Sequence, residues 1–144
     1  MDIEEKRRVR KKTVYERHLN RLNAKRQSRI EYAQLEVRHH ARVDTWSTDH
    51  ANCFRCTIGK GETDEHIQLK FQEWLKLRQA GAVVYTEIIW RNNKRSDLVA
   101  CWPSGEVEII EIAVSESDES LNAKQSYYPF PIRTIRRVKH NEKV

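Results

Sequence analysis

The chain predicts an α/β fold in which a long N-terminal helical extension precedes a helix, a three-stranded meander and a further helix. Three observations carry this. The first Gly is residue 59 and the first Pro is residue 103, so residues 4–43, rich in Arg, Lys, Leu, Glu and Gln, hold no helix breaker. Residues 64–80 lie between Thr63, a good N-cap, and Gly81, a good helix stop. Residues 83–90 and 96–114 are apolar runs separated by Arg91-Asn92-Asn93-Lys94 and folded back at Pro103-Ser104-Gly105.

Along the first helix, Tyr15, Leu19, Leu22, Ile30, Ala33, Val37 and Ala41 follow helical spacing, interrupted by Arg26. Such a stripe suits a partner-binding or dimerising face, or packing on the helix's own domain. The cations Arg7, Arg8, Arg10, Lys11, Lys12, Arg17, Arg21 and Lys25 suit the phosphates of a nucleic acid, or else form a solvated face. His39-His40 is read as solvated.

Next comes Asp49-His50-Ala51-Asn52-Cys53-Phe54-Arg55-Cys56, then Gly59-Lys60-Gly61. Two thiolates three positions apart can bind one Zn²⁺, with His50 and His66 as the available imidazoles, so a structural zinc knuckle over 50–66 is one reading and reduced thiols the other. Cys101, between Ala100 and Trp102, is expected to be a buried strand residue. In the helix over 64–80, Asp64 and Glu65 suit the first turn, and Ile67, Phe71, Trp74 and Leu75 form the stripe expected to pack on a sheet.

Centring the hairpin on Ser104 pairs Cys101 with Val107, Val99 with Ile109 and Asp97 with Glu111, all on one face. Opposed Cβ atoms in a sheet are roughly 5 Å apart, so the two carboxylates converge beyond four apolar side chains. Facing like charges need something cationic between them, and a hard divalent ion such as Mg²⁺ uses one or two carboxylates together with water and phosphate oxygens. If the register slips, both acids are solvated strand ends. A short helix over 120–128 stops before Pro129 and Pro131, and 132–138 adds a strand before the basic end.

With 144 residues and 38% hydrophobic content, one domain with appendages is expected. The expected division is a basic helical extension over 1–48, a domain over 49–132 and a basic tail over 133–144 that includes Arg133, Arg136 and Arg137. Net charge is +6 over 1–48, −4 over 49–131 and +4 over 132–144. Basic ends flanking an acidic middle suit a polyanionic partner gripped around a carboxylate site. No apolar run approaches the roughly 20 residues that span a bilayer, and the start lacks a signal-peptide core. The expectation is an intracellular protein of cytoplasm, nucleoid or nucleus, without a membrane partner.

The helix-then-meander order, with an acid on the second strand and another on the third, resembles the PD-(D/E)xK (restriction-endonuclease-like) nuclease superfamily over about residues 50–130. Two subgroups are closest in pattern. Gly61-Glu62-Thr63-Asp64-Glu65-His66, Lys70, Glu87, Arg95-Ser96-Asp97, Glu111 and Ser115 resemble the competence-protein CoiA-like nucleases. Cys53-x-x-Cys56, Glu62-Thr63, His66, Lys94-Arg95-Ser96-Asp97, Glu111-Ile112-Ala113-Val114 and Lys124 followed by Tyr128 resemble the restriction-like endonuclease domains of site-specific retrotransposons, which carry a zinc knuckle just before the nuclease fold.

The resemblance implies a PD-(D/E)xK-like core and metal-dependent hydrolysis of phosphodiesters in DNA, or RNA, with Mg²⁺ or Mn²⁺ as cofactor, Zn²⁺ as a structural option and a homodimer as a plausible assembly. Asp97 and Glu111 would hold the metal, and Glu87 would add a ligand or position water. The family's Lys, two residues after the second acid, is here Ala113. Lys124 or Lys70 would then supply that charge, and Glu65 and His66 would reach the metal or substrate. The alternative is a catalytically inactive nucleic-acid-binding or assembly protein on a nuclease-like fold.

Overall fold

The computed structural model describes residues 2–43, 48–56, 62–114 and 118–136. Helix α1 (Ile3–His40) starts where the Asp2 carboxylate accepts from Glu5 N at 2.8 Å, with Glu4 and Glu5 in the first turn and Arg38, His39 and His40 in the last. Its apolar stripe divides at Arg26. Tyr15, Leu19 and Leu22 remain exposed, whereas Ile30, Ala33, Val37 and Ala41 are buried. The short side chains of Ala33 and Ala41 let the helix lie close to the sheet. Its end is tied down as well, because Ala41 bridges to Trp90, Arg42 N donates to Ile89 O at 2.8 Å and Arg91 N donates to His40 O at 3.0 Å. Residues 30–41, expected within a separate extension, therefore contribute to the core.

Helix α2 (Asp64–Gln79) is capped by Thr63, whose hydroxyl accepts from His66 N at 3.2 Å. The chain then runs through β1 (Val83–Ile89), β2 (Arg95–Cys101) and β3 (Val107–Ala113) as an antiparallel meander. The β2–β3 turn closes with Gly105 N donating to Trp102 O at 2.9 Å, and Gly105 has φ +90°, which suits a residue without Cβ. Helix α3 (Asp118–Gln125) leads to β4 (Ile132–Arg136), which pairs parallel with β3 and gives the order β1-β2-β3-β4. Residues 133–136 are thus sheet rather than tail.

The sheet has an apolar cluster on each face. On the α1 side Ala33, Val37 and Ala41 meet Tyr85, Ile88, Trp90, Val99, Cys101, Val107 and Ile109. On the α2 side Leu77 meets Val84, Leu98, Ala100, Ile110 and Ile112, with Leu69 and Trp74 packed against them. Each fully buried aliphatic side chain contributes roughly 1.5–3 kcal/mol, so both layers matter to stability.

The face α2 presents differs from the expected stripe. Lys70, Glu73 and Leu77 are buried, while Phe71 and Leu75 are exposed. Phe71 instead stacks on Trp74 and meets Phe54 edge to face. Phe54 belongs to the segment 48–56, which docks on the free edge of β1. Asn52 N donates to Val84 O at 2.8 Å, Val84 N donates to Asn52 Oδ1 at 2.9 Å, and Arg55 N donates to Thr86 Oγ1 at 3.0 Å. Main-chain groups left open on an edge strand are satisfied in this way.

Candidate active site

The β2–β3 register runs from Cys101↔Val107 through Val99↔Ile109 to Leu98↔Ile110, as the Ser104-centred hairpin requires. Past Leu98 the main-chain ladder gives way to a side chain, and Ile112 N donates to Asp97 Oδ2 at 2.9 Å. Glu111, 3% exposed, hydrogen-bonds to the Asp97 carboxyl and to the Tyr128 hydroxyl. The expected pair of acids is therefore brought together.

Tyr128 follows α3, held by Tyr128 N donating to Lys124 O at 3.3 Å, and its hydroxyl also lies 2.6 Å from Arg95 O. A phenol carries a single proton, so the Tyr128 hydroxyl donates either to Arg95 O or to Glu111 Oε1, and the proton of a neutral Glu111 is left for Asp97. Burial, then the hydrogen bond and negative charge of Asp97, push the Glu111 carboxyl up to about 8. Burial would also raise Asp97, but hydrogen bonds with His66, Glu111 and Ile112 N–H hold it below its ordinary range.

Glu62, His66 and Lys70 are spaced four apart at the start of α2 and converge on the same place. His66 Nδ1 lies 2.6 Å from Glu62 Oε1, and His66 Nε2 lies 3.3 Å from Asp97 Oδ1. With a carboxylate at each ring nitrogen, both nitrogens act as donors and the ring is an imidazolium. The bond to Asp97 is the main reason that its pKa is raised, against an opposing effect of burial. Lys70, wholly buried, donates to Glu62 Oε1 at 2.9 Å and Glu87 Oε1 at 3.4 Å, with its Nζ 5.6 Å from the centre of the Phe54 ring. The result is a continuous polar chain from Glu87 through Lys70, Glu62, His66, Asp97 and Glu111 to Tyr128.

No family model, curated protein or solved structure matches the chain.

The other expected residues fall into distinct places. Lys124, half-buried on α3, lowers the Glu111 carboxyl's proton affinity through its positive charge and so lies within electrostatic reach of the pair. Glu65 is half-buried in the first turn of α2. The expected zinc set is not assembled. His66 is committed to carboxylates, His50 Nδ1 lies 3.2 Å from Arg55, and Cys53 Sγ lies 3.1 Å from Asp49 O. Among the described residues no group of three or more His, Cys, Asp or Glu is placed to hold a metal. Cys101 is buried, and burial pushes its thiol up to about 12, as expected of a core residue.

Arg7, Arg8 and Arg10 are exposed on α1, and Arg136 is exposed at the end of β4. The side chains of Lys11 and Lys12, and the whole of Arg137, lie outside the described residues. Arg133 differs from expectation, because its guanidinium binds Glu73 at 2.7 Å and Glu108 at 3.1 Å and so spends its charge within the fold. Two participants were not singled out from the sequence as site residues, Glu62 and Tyr128. Both stood within the motifs that carry the family resemblance, with no role assigned to them, and Glu62 is further marked by its spacing of four and eight from His66 and Lys70.

Proposed function

We propose that the chain is a metal-dependent nuclease that hydrolyses phosphodiester bonds in DNA on a PD-(D/E)xK-like core. The observation that carries this reading is the buried contact between Asp97 and Glu111. Two carboxylates in contact are stable only with a proton or a cation between them, and a shared proton is replaceable by a divalent ion. Two carboxylates with water and phosphate oxygens suit Mg²⁺ or Mn²⁺, so the residues fit such an ion. When bound, the ion would polarise the phosphate and lower the pKa of a coordinated water.

The chain's own groups have separable tasks in this reading. Asp97, held ionised by His66, and Glu111, oriented by Tyr128, form the ion's protein ligands. Lys124 supplies positive charge close to Glu111, in place of the absent Lys at Ala113. Lys70 is bound to Glu62 and Glu87 and acts as the brace that positions His66. Glu87, engaged by Lys70, serves as part of that brace. The exposed arginines on the first turns of α1 suit phosphates of the bound strand at a distance from the cut.

A second reading, an inactive nucleic-acid-binding or assembly protein, is favoured by one observation. Both Asp97 oxygens already have protein partners, His66 and Ile112 N–H, as in a structural carboxylate. Cleavage of labelled single- and double-stranded DNA with Mg²⁺, Mn²⁺ or EDTA separates the two. The nuclease reading expects metal-dependent cleavage that is lost in Asp97→Ala and Glu111→Ala. DNA binding without cleavage, unchanged in both variants, would leave a binding protein.

A further inference from the structure

Beside the carboxylate pair lies a cleft of about 220 Å³ lined by His40, Trp90, Arg91, Asn92, Tyr127 and Tyr128. It is smaller than the roughly 300–1,000 Å³ of sites for drug-sized ligands, and so takes one ring system rather than several. The lining has aromatic rings, an imidazole and an exposed guanidinium, and no acid, within a domain segment whose net charge is −4. Arg91 makes no ion pair among the described residues. Tyr127 is 46% exposed, with Lys94 Nζ 4.8 Å from its ring centre. Trp90, 1% exposed, forms the buried floor of the cleft. Aromatic rings beside an exposed guanidinium suit a planar group with a phosphate next to it.

Tyr128 links this cleft to the candidate active site, because it lines the cleft while its hydroxyl contacts Glu111. We propose that the cleft receives one unpaired nucleobase of the bound strand, stacked on Tyr127 with a flanking phosphate at Arg91. This rests on the nucleic-acid reading above and deepens it by naming the substrate class: strands with an unstacked nucleotide, such as a bulge, flap or single strand. A base inside perfect duplex cannot enter without leaving its stack, which costs free energy that a bulged base does not require.

The test uses the full chain in EDTA, so that binding is read apart from cleavage. Fluorescence anisotropy compares a perfect DNA duplex, the same duplex with a single-nucleotide bulge, and that bulge made abasic. The bulge is expected to bind about 10-fold tighter than the duplex, the scale of one base stacked on an aromatic side chain. The gain is expected to vanish with the abasic bulge and with Tyr127→Ala, and to return with Tyr127→Phe. Equal affinity for all three DNAs overturns the cleft assignment alone, as does a bulge preference that survives both the abasic change and Tyr127→Ala. Absence of affinity for any of them overturns the nucleic-acid reading and the cleft together.

Discussion

Glu87 and Asp97 stand opposite each other on β1 and β2 at the one position where the ladder breaks, between the pairs Thr86↔Leu98 and Ile88↔Ser96. Glu87 sits there with φ +57°, a left-handed conformation uncommon for a side chain of its kind. The effect on the strand is specific. Tyr85 belongs to the α1-side cluster, and so do Ile88 and Trp90, which simple alternation would have put on the other face. The kink shifts the alternation by one, so that Glu87 turns toward Lys70 of α2 while Ile88 stays in the core.

Because this conformation is strained for β-branched residues, Glu87→Val is expected to lower the unfolding free energy by about 2 kcal/mol or more. Glu87→Asn, which tolerates the left-handed region, is expected to cost clearly less, although it also loses the ion pair with Lys70. Urea unfolding of the two variants checks this. Equal losses would show that the contact to Lys70, and not the backbone, sets the cost.

Lys70 holds two carboxylates in a site that is almost closed to solvent, Glu62 being 7% and Glu87 13% exposed in their side chains. Removing the ammonium leaves those charges without their cation, and breaking a buried pair from one side costs about 3–5 kcal/mol. Lys70→Met is therefore expected to unfold at much lower urea concentration. Adding Glu62→Gln and Glu87→Gln should recover most of the loss, since no buried charge then lacks a partner. Failure of the triple variant to recover stability would show that Lys70 acts through packing of its stem.

The proton on Glu111 makes stability depend on pH. Its folded pKa is raised from 4.5 to about 8, so the folded state holds a proton that the unfolded chain has released between those values. The contribution is fully present below 4.5 and is lost as pH rises through 8. His66, whose folded pKa is also raised, adds a loss of the same sign above its ordinary value of 6.5. Unfolding free energy is expected to fall by at least about 1 kcal/mol between pH 5 and 8.5. Glu111→Gln should flatten most of that slope, and a slope unchanged in this variant would place the titration elsewhere.

The hairpin and its acids were legible because turn chemistry and a two-residue period act together at Pro103-Ser104-Gly105 and fix the register that joins Asp97 to Glu111. The face of α2 was not, because burial of Lys70 and Glu73 depends on partners distant in the chain, Glu87 and Arg133, which no helical period reveals. The same limit hid the kink, since nothing in Thr86-Glu87-Ile88 marks a left-handed residue. For α1 the stripe was visible, but its division was not. Ile30, Ala33, Val37 and Ala41 share a spacing with Leu19 and Leu22, and only the position of the sheet decides which of them are covered.

That division of α1 yields a prediction for the nucleic-acid reading. Residues before about Arg29 project past the core with exposed cations, among them Arg7, Arg8 and Arg10. Side chains that contact phosphates displace condensed counterions, and each such contact steepens the dependence of log affinity on log salt by about 0.9 in duplex DNA. Replacing all three with Gln is expected to reduce the magnitude of the slope by about 2 to 3 while leaving the unfolding free energy nearly unchanged, because none of the three is in the core. Asp97→Ala should leave the slope as it was, since it removes a carboxylate and no phosphate contact. Titration of labelled duplex at several salt concentrations distinguishes the two, and an unchanged slope in the triple variant would remove the first turns of α1 from the nucleic-acid interface.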